Sequence, residues 1–390
     1  MTKHLGIFSL VFGLVSTGSA ATGTFDSIHQ QYQSIRAVGM GGAFAAVAND
    51  YSAWAYNSAA YSRFTEGQMQ VAPVDVAGSL GFQDFNNKIQ GLSGTGGGAS
   101  NLASVVNTLN SLYGSQYQVR VKLLEMSWAR PNWGVAFVPA DLTIDMAVHN
   151  QGAPALDIRA YADTTLAYGF GKNIKNESLG LLSWGVTAKA IMREYASKEL
   201  NALDVATSSN TLSQNDMTSG ATGDFDLGLL YTPYLPEGNA WDWIRGSRPT
   251  FALVGRNLLD GGFTTRALTN GFSTVNQPEQ LYRVFDVGSR FEIPKFWIFG
   301  GRFAFDERDI NHPAWNWQKG MHAGFEFDWM MTSWWKGQWR VGYGQGCPSA
   351  GFSALFTVFR LDLAYFGENV GSINNPQQNQ MFELRLVGEL

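Results

Sequence analysis

Histidine, cysteine and carboxylate side chains are the groups in this chain that could do acid–base chemistry or hold a metal ion. The five histidines are scattered, and none stands at metal-ligand spacing from another histidine or from the single cysteine, Cys347. His322 shares one parity of an alternating stretch with Glu326 and Asp328, which leaves two interpretations, a proton or metal site and a hydrogen-bonded polar ladder. No serine is positioned with a histidine and an aspartate for nucleophilic catalysis. The sequence therefore predicts no enzyme, no cofactor and no metal.

The composition narrows the class of protein further. A net charge of -5 and an isoelectric point near 5.6 argue against nucleic acid as a partner. Charged residues make up only 15% of the chain, against about 25% in ordinary soluble domains, whereas aromatic residues reach 14%. A mean hydropathy of -0.12 fits strands that have one apolar and one polar face. A single cysteine excludes an internal disulfide.

The first 21 residues predict a cleaved secretory signal peptide. Lys3 and His4 give a basic start, residues 5–15 form an apolar run, and small residues follow, with cleavage expected after Ala20 or Ala21. The apolar run is too short to span a bilayer, and no later stretch offers about 18 consecutive apolar residues. The mature chain is therefore expected to be soluble or to cross a membrane as strands.

Period-two alternation is the strongest structural signal. Over residues 134–148 one parity is wholly apolar, while the other carries Asp141, Thr143 and Asp145. Similar alternation recurs over residues 155–170, 224–231, 297–306 and 321–329. A half-solvated antiparallel sheet and a membrane barrel with a polar lumen both produce this pattern.

Connection lengths favour the barrel over a secreted sandwich or propeller. From about Gln68 onward we predict roughly fourteen strands joined by alternately long and short connections, as in outer-membrane barrels. The long ones are residues 84–117, 197–221, 259–279, 308–318 and 367–380; the short ones lie at 131–132, 293–295, 331–336 and near 359, with 234–249 as an exception. Tryptophans gather beside the short connections, where an aromatic girdle is expected: Trp133, Trp241, Trp243, Trp297, Trp329, Trp334 and Trp335.

The charged residues on the polar parity are predicted to line the lumen. They are Asp141, Asp145, Asp157, Arg159, Asp163, Lys189, Arg193, Asp224, Asp226, Arg302, Asp306, His322, Glu326, Arg340, Arg360, Asp362 and Arg385. An outward orientation would cost about 2 to 4 kcal/mol for each basic residue at mid-bilayer. Because both signs occur, we expect cross-strand ion pairs in a filled interior, since an open ion pore would favour one sign.

The chain closes on an alternating strand that ends at Leu390. Phe382, Leu384 and Leu386 share the apolar parity of that strand. This end resembles the recognition strand of the outer-membrane assembly machinery, with Leu390 where an aromatic residue is usual.

The long connection at residues 84–117 contains apolar residues at helical spacing. They are Leu102, Val105, Val106, Leu109 and Leu112. This helix is expected either to cover the outer mouth or to pack on neighbouring surface elements.

A glycine-rich motif lies between the predicted signal peptide and the first strand. Its residues are Gly39, Met40, Gly41, Gly42, Ala43 and Phe44, followed by Asn49, Asp50, Asn57, Ser58 and Ala59. The glycines allow close approach of backbone to backbone. A nucleotide-binding loop would need a βαβ unit, which the chain does not offer.

This N-terminal stretch resembles the opening of the FadL/TodX-like and PorV-like outer-membrane barrels. Those show a Gly-Met-Gly-Gly-Ala run, an acidic or amide pair and then Asn-Pro-Ala; here Ser58 stands in place of the proline. The resemblance covers the N-terminal stretch, while the middle of the chain matches only as a barrel pattern. It implies a plug in the lumen, past which fatty acids or other hydrophobic compounds move in the FadL-like members.

The expected fold is all-β, a closed antiparallel transmembrane barrel of about fourteen strands with a small N-terminal plug inside the lumen. The expected segments are a signal peptide (1–21), a plug (22–65) and the barrel (66–390), in contact with lipid of a Gram-negative outer membrane. The first functional hypothesis is a passive channel for hydrophobic small molecules such as long-chain fatty acids. The alternative is a PorV-like barrel that docks partner proteins at the long loops for secretion or envelope machinery.

Overall fold

The structure, a computed structural model, describes residues 27–90, 99–150, 153–176, 180–207, 216–238, 242–263, 278–332, 334–371 and 377–389. The predicted signal peptide lies outside these residues. No helix within them is long and apolar enough to cross a membrane.

Strands within these described ranges form a closed antiparallel barrel of fourteen, in which each strand pairs with its neighbours in the chain and the first pairs with the last. They are β1 (Gln68–Ser79), β2 (Gln116–Arg130), β3 (Trp133–Asn150), β4 (Pro154–Asn176), β5 (Gly180–Asn201), β6 (Met217–Pro233), β7 (Thr250–Arg256), β8 (Val284–Phe296), β9 (Phe299–Ile310), β10 (Met321–Thr332), β11 (Trp335–Gly344), β12 (Cys347–Phe356), β13 (Phe359–Asn369) and β14 (Gln378–Glu389). The predicted all-β, closed antiparallel barrel and its number of strands are confirmed.

Short helices lie before the barrel and in its connections. They are α1 (Ile35–Gly39), α2 (Ala53–Tyr56), a 3-10 helix (Ser58–Arg63), α3 (Phe82–Gln90), α4 (Ala99–Ser111), α5 (Ala202–Thr207), α6 (Asp242–Gly246) and α7 (Trp317–Gly320). We call the end that carries the β1–β2 connection the loop end, and the opposite end the turn end.

The strands divide their side chains between an apolar outer surface and a polar interior. On β6, Phe225 and Leu227 are exposed, while Asp224 and Asp226 are buried. The division arises because successive side chains of a strand point to opposite faces of the sheet. The final strand follows the same rule, with Leu384 exposed.

The predicted apolar face of β3 is wrong for its first half. Ala136 and Val138 are each 1% exposed and point inward, whereas Leu142 and Ile144 of the same sequence parity are exposed. A bulge beside Pro139 inserts one extra residue against β4 and reverses the parity.

Strands β1 and β2 change parity at the same level as β3. Val74 of β1 pairs with Leu123 of β2, and Leu123 pairs with Ala140 of β3. At this level two consecutive residues of each strand point outward. Pro73 is one of them in β1, and Leu124, whose φ is 55°, is one of them in β2. Proline has no N–H to donate to a ladder, so it is found at such irregular positions.

Connection lengths follow the predicted alternation with two exceptions. Five connections at the loop end are long, but residues 151–153 and 345–346 form short ones there. At the turn end, Trp297 and Trp334 lie in tight connections and are exposed. Trp241 lies outside the described residues.

Helix α4 packs on the outside of the barrel wall. Its buried residues Val105 and Leu109 contact Val148 of β3 and Leu156 and Ile158 of β4. These strand residues share the outward parity of Ile144 and Leu166, both of which are exposed. Of the two predictions for this helix, packing on neighbouring surface elements is therefore correct, and covering the outer mouth is wrong.

Candidate functional site

Residues 27–64, which belong to the stretch 22–65 predicted as a plug, lie inside the barrel and are called the N-terminal segment below. Helix α1 contacts β11 to β14, and the 3-10 helix contacts β3 to β6 on the other side. Met40, Phe44, Trp54 and Tyr61 are almost completely buried and pack together with alanines of the strands. The segment thus fills the interior from wall to wall.

Inward-facing glycines of the strands make room for this segment. A Cβ atom on Gly324 or Gly342 would overlap Met40, and one on Gly228 would overlap the side chain of Asn57. Gly41 has a φ of +65° and lies against the backbone of β11, so both its conformation and its surroundings require glycine.

Arg36 of α1 connects the segment to the wall through charge. Its Nε and Nη2 donate to the two carboxylate oxygens of Glu326, each at 2.7 Å, and its Nη1 donates to Asp50 and Asn49, each at 2.8 Å. Burial would lower the pKa of the Arg36 guanidinium, but the charges of Glu326 and Asp50 outweigh it and raise that pKa further. Such paired, bidentate hydrogen bonds are among the strong ones in proteins.

Two more arginines surround Glu326, which is 0% exposed. Arg340 Nε donates to it at 2.9 Å, Arg302 Nε lies 3.3 Å away, and Arg302 also pairs with Asp328 at 2.8 Å. The six residues Arg36, Asp50, Arg302, Glu326, Asp328 and Arg340 form what we call the central cluster. Three positive and three negative groups balance each other there, as a buried network requires.

A second group of charges holds the segment near the β1–β14 seam. The Tyr32 hydroxyl donates to Glu125 at 2.7 Å, and Arg385 Nη2 lies 3.1 Å from the same carboxylate. The guanidinium of Arg385 stacks over the ring of Tyr51, 4.2 Å from its centroid. Lys122 pairs with Asp75 at 2.7 Å beside them.

Backbone groups of the glycine-rich motif are also fixed to the wall. Asp306 accepts hydrogen bonds from the backbone N–H groups of Phe44 and Ala45 at 2.6 and 2.7 Å. The Nδ1 atom of His322 lies 2.5 Å from the Gly41 carbonyl oxygen, so that nitrogen carries the proton and donates. His322 thus binds the segment, whereas Glu326, which shares its strand face, binds arginines.

Asn57 organises the end of the segment. Its Nδ2 donates to the carbonyl oxygens of Ala45 and Leu229 at 3.0 and 3.2 Å, and its Oδ1 accepts from the Ala59 N–H at 3.1 Å. Asn57 thereby caps the 3-10 helix, in which Ser58 is the first residue.

The predicted lumen residues are brought into pairs across adjacent strands. Arg193 binds Asp163 at 2.6 and 2.8 Å, and Lys189 binds Asp226 at 2.8 Å. Arg360 also binds Asp362, within β13. Four other members have partners that the sequence did not single out: Asp141 binds Arg120, Asp145 binds Gln118, Arg159 lies near Glu279, and Asp224 accepts from the N–H groups of Phe225 and Leu259.

Sequence reasoning missed Arg36 and the inward glycines. Arg36 stands three residues before Gly39, and a lone arginine next to a run of small apolar residues was the available signal. The glycines alternate with aromatic residues on β10 and β11, which looks like a girdle pattern and conceals their role.

The segment separates two openings of the interior. At the loop end, a narrow cleft of about 40 Å³ is lined by Ile28, His29, Trp54 and Leu281. At the turn end, a cavity of about 530 Å³ reaches Arg36, Asn49 and Asp50 from the other side.

Apolar and charged groups share the lining of the loop-end cleft, where Trp54 and Leu281 lie beside Arg193, Arg256 and Glu279. The imidazole of His29 stacks on Tyr161 with ring centroids 3.9 Å apart. Burial, assisted by the charge of Arg193, lowers the pKa of His29 well below its usual value, so the ring is neutral near pH 7. Ile191, Phe263 and Leu281 form an apolar cluster nearby.

The fold and interior define a closed β-barrel with an apolar outer surface and a polar interior filled by its own N-terminal segment. No protein-family model and no curated protein matches the chain. Similar solved structures include the toluene transporter TbuX of Ralstonia pickettii (9% identity, TM-score 0.47, covering 90% of this chain and 96% of that one). The CymD monoaromatic hydrocarbon channel (11%, 0.44, 90% and 96%) and the Pseudomonas putida toluene transporter TodX (9%, 0.41, 90% and 96%) are others. At such scores these likenesses carry no conclusion about function.

Proposed function

We propose that this protein is an outer-membrane barrel through which small hydrophobic molecules pass, with the N-terminal segment as its gate. The observation that carries the proposal is the position of that segment between the loop-end cleft and the turn-end cavity. The segment is held by hydrogen bonds and ion pairs, which can open and close without breaking the wall.

The outer surface supports the membrane location. Exposed leucine, isoleucine and aromatic side chains follow the outward parity of every strand pair from β3 to β6 and again from β9 to β11. A soluble monomer rarely exposes an apolar patch larger than a few hundred Å². In a membrane, lipid would cover the apolar outer side chains, while the polar side chains would remain in the interior.

The loop-end cleft supports the ligand class. An alkyl chain or an aromatic ring entering there would meet Ile28, Trp54 and Leu281, beside the charged side chains of Lys189, Arg193 and Glu279. Aromatic side chains bind such groups through large apolar contact areas. Long-chain fatty acids and aromatic hydrocarbons are the two ligand classes to be compared.

Passage requires the segment to move, because the cleft of about 40 Å³ is too small for either ligand. The turn-end cavity of about 530 Å³ offers the space into which the segment can shift. Movement in that direction would break the Arg36–Glu326 pair first, since both the cavity and the pair lie at Arg36.

Uptake of labelled oleate and labelled toluene, in cells that depend on this protein, tests the proposal. Removal of residues 27–64 should replace saturable uptake by an unselective leak, measurable as ion conductance in planar bilayers. Unchanged uptake and conductance in a folded deletion variant would contradict the gate. Docking of a partner protein at the long loops stays a prediction, which a stably co-purifying protein would favour.

A further inference from the structure

Three metal-ligating side chains meet on the inner rim of the loop end, away from the gate. His149 lies near the end of β3, Asp157 near the beginning of β4 and Glu199 near the end of β5. Asp157 pairs directly with Glu199 and, on its other side, with Ala147, which places His149 one inward position further along β3. One ligand atom from each side chain lies within 4.8 Å of the others.

The distances suit a small divalent cation. His149 Nε2 lies 3.4 Å from Asp157 Oδ1 and 4.0 Å from Glu199 Oε1. Zinc bonds of about 2.0 to 2.2 Å in tetrahedral geometry place adjacent ligand atoms about 3.4 Å apart. The His149–Asp157 pair already has this spacing, and Glu199, whose side chain is 65% exposed, can rotate to reach it.

The imidazole of His149 has only a long contact with Asp157, at 3.4 Å, and neither ring nitrogen makes a well-formed hydrogen bond within the described residues. Its side chain is only 12% exposed, and both ring nitrogens are shielded from solvent. A buried polar atom without a partner costs free energy. A cation bound at Nε2 would remove that cost and would balance the two carboxylates.

We propose that His149, Asp157 and Glu199 bind a divalent transition-metal ion, with zinc as the first choice and water in the remaining position. One imidazole nitrogen and two carboxylate oxygens are donors that zinc accepts, whereas calcium takes six to eight oxygen ligands. The ligands come from three adjacent strands, so the ion would join β3, β4 and β5 at the mouth of the barrel. This site is independent of the proposed gate.

Metal binding to the full-length mature barrel in detergent, with any purification tag removed and after chelator dialysis, tests the site. Zinc titration by calorimetry should give one ion per chain. His149→Ala should lower the affinity by at least tenfold, as even the loss of a residue that only supports a ligand costs roughly 10- to 100-fold. Cobalt should give visible absorption bands that His149→Ala abolishes.

His312→Ala is the matched control, because His312 lies in another loop-end connection and its Nδ1 accepts a hydrogen bond from the Ala314 N–H. This variant should bind zinc as the unaltered protein does. The heat-dependent shift of the folded barrel in electrophoresis establishes that each variant is folded. A folded protein that binds no zinc at micromolar concentration, or equal binding after His149→Ala and Glu199→Gln, would overturn the site while leaving the uptake result untouched.

Discussion

Arg36 and Glu326 are 290 residues apart in the chain, yet they share two parallel hydrogen bonds of 2.7 Å in the middle of the barrel. Every other strong contact of Glu326 is also with an arginine of the wall. The pair therefore joins the N-terminal segment to the barrel at its most charged point.

Replacement of Arg36 by methionine should loosen the N-terminal segment. It leaves Asp50 without its cation, and loss of one partner of a buried pair costs about 3 to 5 kcal/mol. We expect faster amide hydrogen exchange in residues 27–64 and higher bilayer conductance. Adding Asp50→Asn to Arg36→Met should recover part of the loss, because it removes the carboxylate left without a cation. Exchange as slow in Arg36→Met as in the unaltered protein would show that Arg36 does not hold the segment.

Replacement of Gly324 by valine should displace the N-terminal segment, because the added side chain would overfill the barrel interior. The valine side chain would overlap Met40, and overpacking of a core costs about 1 to 3 kcal/mol. The thermal transition of the folded barrel in detergent should move to lower temperature. Gly78→Ala is the control, because no atom lies within 4 Å of its Cβ position; equal shifts for both variants would count against this packing.

Acid should open the contact between Arg36 and Asp50 only at low pH. Burial would raise the pKa of Asp50, but the charge of Arg36 and the hydrogen bonds of Ser52 lower it below 3.8. The stability that Asp50 contributes is therefore complete above the unfolded value and is lost only as the pH falls through the lower folded value. The protection from proteolysis that Asp50 adds, measured as the difference between the unaltered protein and Asp50→Asn, should be the same at pH 7 and pH 5. A difference already lost at pH 5 would contradict the assigned pairing.

A charge in the loop-end cleft should block uptake without unfolding the barrel. Leu281 is 7% exposed within the apolar cluster, while Leu259 of the same connection is 54% exposed. Leu281→Arg should slow labelled oleate or toluene uptake by roughly tenfold, because it replaces an apolar contact of the cleft by a charge that an apolar ligand would have to desolvate. Leu259→Arg should have little effect; equal uptake by the two variants would place the ligand path elsewhere.

The barrel was predictable from sequence because its signal is local. The alternation of Phe225 and Leu227 with Asp224 and Asp226 indicates which face of the strand is apolar. The turn residues between such stretches indicate how many strands there are. The partners of the interior charges were not predictable in the same way. The pairing of Arg36 with Glu326, and the approach of His149 to Glu199, depend on how the whole sheet closes and in which register its strands pair. No short stretch of sequence encodes that register.

The wrong prediction of the apolar face for the first half of β3 has a different cause. Gly134, Ala136 and Val138 are small or apolar and suit either face, so the sequence does not mark where inward and outward exchange. Pro139 was the one local sign of an irregular strand.

The change between inward and outward parity occurs at the same level in β1, β2 and β3, so the three strands share one alternation phase on each side of it. On its loop side the inward positions are Asp75, Lys122 and Asp141, and on its turn side they are Ala72, Glu125 and Ala136. Removing one residue from any single strand would shift that strand's phase and turn a charge such as Lys122 out onto the apolar surface. The three strands must therefore gain or lose residues together, and the length of each is tied to that of its neighbours.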